Sequence, residues 1–418
     1  MGKNKSEPEI TRDNVQHVFN LTDEIVERYP NRLTGTRACL ETAMRLKEEF
    51  SRNCDHTSVD IEEFTCRPKS FLKYIPVIVI IGIICSFLLL FRYPVPALIG
   101  FALVIFAFYG QFVRYWHLLD PLFPKARGYN IHGRIEPEGR VKQQVILSAH
   151  HDAAYVFQLI AHMPRFYSTF MQAGILFLVV GFLVSLIWTA LMLFNVPPPA
   201  WAHPSIPLAL VICSILVLPL AFFTTGQVSP GAGDNMIAVA ITNEVARLFQ
   251  DARKAGTNAL QHTRLMVVSF DAEEAGLRGA RAFCKKHKEE LLSTKTYVFN
   301  IDTLYKVKDI NFFAHDLNTT VKLSRQVAQD CADIAHALGY PAVVSGMPFG
   351  GGSTDAAAFG EIGVEATNMA AMSFDVSAFG KDMVYHTKND LTKYIEPEVV
   401  EAALKIARNY ILKKDAQA

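Results

Sequence analysis

His150, Asp152, Asp234, Glu273, Glu274, Asp302 and His386 all stand where an apolar or glycine-rich stretch of this 418-residue chain breaks. His150 and Asp152 close VILSAHHD, and Asp234 sits in GAGDN. Glu273 and Glu274 follow LMVVSF in SFDAEEAG, Asp302 ends FNID, and His386 lies in VYHTKND. Imidazole nitrogens and carboxylate oxygens together are the donor set of zinc. Two histidines with three or four carboxylates could serve a pair of such ions. Zinc lowers the pKa of a bound water towards about 7, and a neighbouring carboxylate that is not itself a ligand can take the proton. Singly, each motif has a plainer reading. Tandem glutamates favour a helix start, GAGDN is an ordinary turn, and a histidine near the end of a chain is commonly a surface residue. Only the ordered set points to chemistry.

The elements needed to position that set are legible as apolar periodicity. Val145–Leu147, Leu265–Phe270 and Tyr297–Ile301 are short apolar runs of strand length. Between and after them, Met236–Phe249, Glu273–His287, Thr320–Leu338 and Glu396–Leu412 carry helical patterns, and a hairpin-like piece ends at Phe313. Strands alternating with helices indicate an α/β fold with a mostly parallel mixed sheet and helices on both faces. In such open sheets the carboxyl ends of the strands converge on the ligand crevice. His151, the middle residue of His-x-Asp on a strand, should point away from it. The FGGGSTD loop, residues 349–355, is expected to line the pocket because its glycines permit close backbone approach. Upstream, residues 11–50 form two helices broken at RYPNRLTGT, GQVSPGAGDN forms a turn, and Val59–Cys66 and Tyr129–Ile135 are strands.

Four other segments are apolar throughout. Tyr74–Phe91 has no charged residue, and Ala97–Val113, Phe170–Phe194 and Ile206–Phe223 are nearly as apolar. Each is about the length that spans a bilayer, so the chain divides into α/β segments 1–70, 114–167 and 225–418 and two membrane hairpins, 71–113 and 168–224. These runs explain a hydrophobic content of 50% and a mean hydropathy of +0.19. The 41 basic residues balance the 40 acidic ones, which argues against a nucleic-acid partner. Seven cysteines without CxxC spacing, two of them inside apolar runs, argue against a disulfide framework. Lys69, Lys73, Arg114, Lys125, Arg127 and Arg165 flank the runs on the α/β side, and the hairpin loops offer only Arg92. By the positive-inside tendency the catalytic portion is expected to be cytoplasmic, and the polar start MGKNKSEPEITRDN lacks the apolar core of a secretory signal.

Taken in order, His150-x-Asp152, Asp234-Asn235, Glu273-Glu274-x-Gly276, Asp302 and Tyr385-His386-Thr387 resemble the zinc aminopeptidases of metallopeptidase family 28, which also includes the glutamate carboxypeptidases. The resemblance covers the soluble portion, including RYPNRLTGT, but not the four apolar runs. It implies two zinc ions bridged by Asp234, one completed by His150 and Asp302, the other by Glu274 and His386. Glu273 would then be the general base and Asp152 the carboxylate orienting His150. It further implies a cis peptide at Asp234-Asn235. Gly233 departs from the pattern, since many relatives carry an acidic or polar residue there. The implied activity is hydrolysis at the amino terminus of peptides. A related zinc carboxypeptidase or amidohydrolase, a glutaminyl cyclase with a single zinc, and an inactive receptor or scaffold on the same fold remain as alternatives. The third apolar run begins 20 positions after His150, which places the metal centre near the bilayer and favours membrane-proximal peptides.

Overall fold

The computed structural model describes residues 10–257, 260–373 and 383–418; the polar start, residues 1–9, lies outside them. Its centre is an eight-stranded sheet. The strands of the chain are β1 (Asp60–Cys66), β2 (Ala126–Ile135), β3 (Gln143–His150), β4 (Tyr155–Phe157), β5 (Thr224–Val228), β6 (Thr263–Phe270), β7 (Lys295–Leu304), β8 (Ile310–Phe313), β9 (His315–Asp316), β10 (Val321–Lys322), β11 (Val343–Ser345) and β12 (Glu365–Ala371). The large sheet runs β1-β2-β6-β3-β7-β12-β8-β11. β3 lies parallel to β6 and β7, and β7 is parallel to β12. Every residue of β3 is buried, as expected of a central parallel strand covered on both faces. Its register sets His150 opposite Phe270 of β6.

Helices cover both faces. The amino-terminal pair is α1 (Arg12–Arg28) and α2 (Arg37–Asn53). The next two, α3 (Ile75–Leu90) and α4 (Pro94–Phe108), are apolar. After the short α5 (Gln158–His162) come the apolar α6 (Tyr167–Leu193) and α7 (Ser205–Val217). The remainder are α8 (Ile237–Lys254), α9 (Arg278–Lys286), α10 (Lys288–Ser293), α11 (Arg325–Ala337), α12 (Ala356–Glu361) and α13 (Pro397–Ala416). One face of the sheet packs on α1, α2, α8, α11 and α13 through a core that includes Phe50, Ile241, Phe299 and Tyr410. The other packs on α9 and α12 through Phe270, Phe283 and Phe359, and this core also takes in Phe71 and Tyr115 from either end of the first apolar hairpin.

The hairpin-like piece ending at Phe313 is not a hairpin with its predecessor. β12 inserts between β7 and β8, pairing parallel with the first and antiparallel with the second. β12 escapes the sequence reading because EATNMAA is rich in alanine and polar residues, without the β-branched signature of a strand. The helix expected from Thr320 starts only at Arg325, where Ser324 accepts the Val327 N–H at 3.4 Å, after Val321–Lys322 has paired with β9. In GQVSPGAGDN, residues 226–228 belong to β5, which pairs with β4.

Among the described residues, four helices are long and apolar enough to cross a membrane: Pro68–Leu90, Pro94–Val113, Pro164–Leu193 and Ser205–Phe222, with their terminal turns included. They share a core around Cys85, Leu89, Phe101, Phe177 and Leu210. Close approach rests on small residues: a Cβ at Gly181 would fall 2.4 Å from the Phe101 ring. Outward-facing Ile80, Leu103, Leu183 and Ile215 are more than 45% exposed. The bundle is pinned to the α/β body by Arg278, which grips Asp120 through two bonds of 2.6 and 2.8 Å and reaches Ser70 Oγ at 2.9 Å.

Candidate metal centre

The carboxyl ends of β3, β6 and β7 bring the candidate residues together. His150 is the last residue of β3 and Asp302 lies near the end of β7. Behind β6 the chain does not enter a helix at Glu273 as its tandem glutamates suggest. Ala272, Gly276 and Leu277 take positive φ of 63°, 95° and 59°, so residues 273–277 form a turn and α9 begins at Arg278. That turn is held by Asp152, whose carboxylate accepts the N–H of Glu273 at 3.1 Å and of Glu274 at 3.2 Å. Asp234 sits in a kink before α8, and the peptide to Asn235 is cis. Asn235 fastens the kink to β7, donating to Ile301 O at 2.8 Å and accepting from Thr303 N at 3.3 Å. His386 is fixed by Tyr385 stacked on its ring and Phe157 set edge-on, with centroids 3.9 and 4.2 Å away.

The two oxygens of Asp234 face different partners. Oδ1 lies 3.3 Å from His150 Nε2, which is itself 3.6 Å from Asp302 Oδ1. Oδ2 lies 2.8 Å from His386 Nε2, which is 3.2 Å from Glu274 Oε1. Several of these atoms (His150 Nε2, Asp234 Oδ2, Glu274 Oε1 and His386 Nε2) are buried without a hydrogen-bonding partner among the described residues in spite of that proximity. Donor atoms roughly 3.3 Å apart are what a tetrahedral ion with bonds of ~2.0–2.2 Å requires. Atoms that converge without pairing therefore fit a zinc site, and His150, Asp234 and Glu274 offer ligand atoms within 4.8 Å of one another. Glu273 is the outlier: its Oε2 stands 3.9 Å from His150 Nε2, farther than the other carboxylates. The field agrees with a cation site. Burial disfavours both imidazolium ions, yet the carboxylates around His386 push its pKa up to about 10 and those around His150 raise it well above 6.5. Burial raises Glu273 well above the carboxylate range and Glu274 to about 7.

Residues 218–411 match the family model for peptidase family M28. The match takes in Asp234, Glu273, Glu274, Asp302 and His386 but not His150 or Asp152. By sequence, no curated protein matches. Among solved structures, the chain is similar to a zinc aminopeptidase from Bacillus subtilis, with a TM-score of 0.54, 14% identity, and coverage of 95% of this chain and 94% of that one. A Zn-dependent exopeptidase from Parabacteroides distasonis gives a TM-score of 0.53 and 14% identity over 95% of this chain and 97% of the other. A glutaminyl cyclase from an Acidobacteriales bacterium gives 0.54 and 14% over 100% and 99%. These likenesses show a shared fold, the mixed, mostly parallel sheet between helices.

The candidate site also contains residues that the motifs did not single out. Asp390 accepts the N–H groups of Gly233 at 2.8 Å and Asp234 at 3.2 Å, so it shapes the kink. Its signal was its place in the same VYHTKND stretch as His386. Arg32, fully buried, donates to the carbonyls of His151, Pro230 and Gly231, which ties the RYPNRL turn to both β3 and the Asp234 loop. Asp355, in FGGGSTD, is fully buried with neither carboxylate oxygen hydrogen-bonded. Gly233, the departure from the family pattern, is explained by Tyr305, because a Cβ there would lie 2.2 Å from the tyrosine ring. His151 turns away and meets Ser269 Oγ at 2.9 Å. In front of the candidate centre opens a cavity of about 410 Å³, with Glu273, Glu274 and His386 on one wall and Phe349–Ser353 on another. A third wall is made by Phe108, Phe112, Tyr167 and Met171 of the apolar bundle.

Proposed function

We propose that this chain is a membrane-embedded aminopeptidase that uses two zinc ions to hydrolyse amino-terminal residues from peptides. The observation carrying this reading is the division of Asp234, one oxygen toward His150 and Asp302 and the other toward His386 and Glu274. Those five residues would hold the ions. Zinc supplies Lewis acidity that lowers the pKa of water and polarises the scissile carbonyl. Glu273, beside the ligands rather than among them, takes the proton of the attacking water. It returns that proton to the leaving amine as the amide C–N bond breaks, which yields a free amino acid and a shortened peptide. Asp152 positions Glu273 and Glu274 through their backbone N–H groups and holds His150, whose Nδ1 lies 3.4 Å from its Oδ1. Surplus carboxylates in the pocket also suit capture of a substrate ammonium. The basic residues flanking the apolar helices support a cytoplasmic catalytic side.

The test is to purify the full chain in detergent, count zinc, and assay peptides with free and acetylated amino termini, with and without chelator. Two zinc ions per chain, release of amino-terminal residues, and loss of rate by about 10²–10⁴ in Glu273→Gln with zinc retained are expected. Cleavage of acetylated peptides in preference to free ones would overturn the aminopeptidase reading. Cyclisation of amino-terminal glutamine without peptide cleavage would place the chain with the glutaminyl cyclases.

A further inference from the structure

The cavity before the metal centre does not end at the α/β body. A second cavity of about 60 Å³ lies inside the helical bundle, between α3, α4, α6 and α7. The two adjoin, with Phe108, Phe112, Met171, Ile175 and Phe223 as shared walls, along a line from the α/β body into the bundle. Polarity falls along it. Glu273, Glu274 and His386 stand at one end, Ser168 and Gln172 follow on the first turns of α6, and Ile78, Val79, Val104 and Leu178 enclose the far end. From Ser168 to Leu178 is about 15 Å along a helix, roughly half of the ~30 Å hydrocarbon thickness of a bilayer.

Resting on the aminopeptidase reading, we propose that the substrate is an amphiphile: an aminoacyl amide whose single long apolar chain runs between the helices while its amide lies at Glu273. The graded lining favours this over an ordinary soluble peptide, whose polar backbone would go unsatisfied at the apolar end. A helical peptide segment is excluded by width. A helix is ~10–12 Å across with its side chains, whereas the inner cavity, walled by Phe177 and Leu178 among others, measures only about 60 Å³. Hydrolysis would release the amino acid and an alkylamine, with the water proton passing to the amine nitrogen.

Two measurements on the zinc-loaded full chain in nanodiscs test this. The first compares kcat/KM for leucyl-alkylamides from butyl to dodecyl. A rise of about tenfold or more with chain length is expected, and in Ile78→Trp, which fills the inner cavity, the long-to-short ratio should fall to about one. The second photolabels the chain with a leucyl-alkylamide bearing a diazirine at its tail. Label on Ile78, Val104, Met171 or Ile175, together with hydrolysis of the same amide, supports the proposal. Label confined to outward positions such as Ile80, Leu103 and Leu183, as for a surrounding lipid, overturns it. Turnover without chain-length dependence also overturns it and leaves the aminopeptidase reading standing. Tail labelling inside the bundle without hydrolysis of any leucyl-alkylamide or peptide overturns the activity and leaves the amphiphile site.

Discussion

Asp152 accepts the backbone N–H of Glu273 at 3.1 Å while its other oxygen takes that of Glu274 at 3.2 Å. One carboxylate thus fixes both the proposed base and a proposed zinc ligand, and it lies against His150 as well. Asp152→Ala is expected to lower zinc affinity about 10–100-fold, the usual scale for residues that orient ligands. It should also lower kcat at saturating zinc, because Glu273 is released. Titrating activity against free zinc separates the two effects. Full kcat once the ions are restored would show that Asp152 serves the metal alone.

Gly233 and Tyr305 compete for one space. Gly233→Asp, which restores the more usual residue of the family, should destabilise the chain by about 1–3 kcal/mol through overpacking and reduce zinc content. Combining it with Tyr305→Ala should recover part of the loss, so the two changes will be non-additive in thermal unfolding. Additive effects would mean the ring is not the obstacle.

The grip of Arg278 on Asp120 joins the bundle to the α/β body, and the guanidinium is only 5% exposed. Asp120→Ala strands a buried cation, at a cost of about 3–5 kcal/mol. Thermal unfolding in detergent should show the loss, and limited proteolysis should cut sooner between residues 114 and 125. Asp120→Ala combined with Arg278→Met should be milder than Asp120→Ala alone.

Far from the metal centre, Glu62 accepts from His287 at 2.7 Å, from Lys286 at 2.9 Å, and lies 3.1 Å from His132 Nε2. Glu290 and Glu62 raise the His287 pKa from 6.5 to about 9. Burial pushes the Glu62 carboxyl up, but the bonds from His132, His287 and Lys286 outweigh this and hold it well below 4.5. The histidine contribution is complete below pH 6.5 and is lost as pH rises through about 9. The glutamate contribution is complete above pH 4.5 and is lost as pH falls toward its lowered folded value. The Tm difference between the parent and His287→Gln should therefore be largest between about pH 4.5 and 6.5 and vanish above about pH 9. A difference independent of pH would show that the ring acts by packing alone.

What the sequence determined by itself was local in kind. Apolar runs of period two or of unbroken length announce β3, β6, β7 and the four bilayer-length helices, because burial on both faces or in lipid demands them. The chemistry-bearing residues were legible because each ends such a run, at a strand end or the loop after it. Tertiary structure alone decided the rest. The turn at residues 273–277 overrides a helical pattern because Asp152, more than 120 positions away in the chain, satisfies its N–H groups. β12 exists because β7 and β8 offer it edges, not because EATNMAA prefers a strand. The pair of adjoining cavities from Glu273 into the bundle has walls from α3, α4, α6, α7 and the glycine loop, brought together by the Arg278–Asp120 anchor and the core around Phe71 and Tyr115. No single segment encodes it, since a cavity is made of the distances between segments.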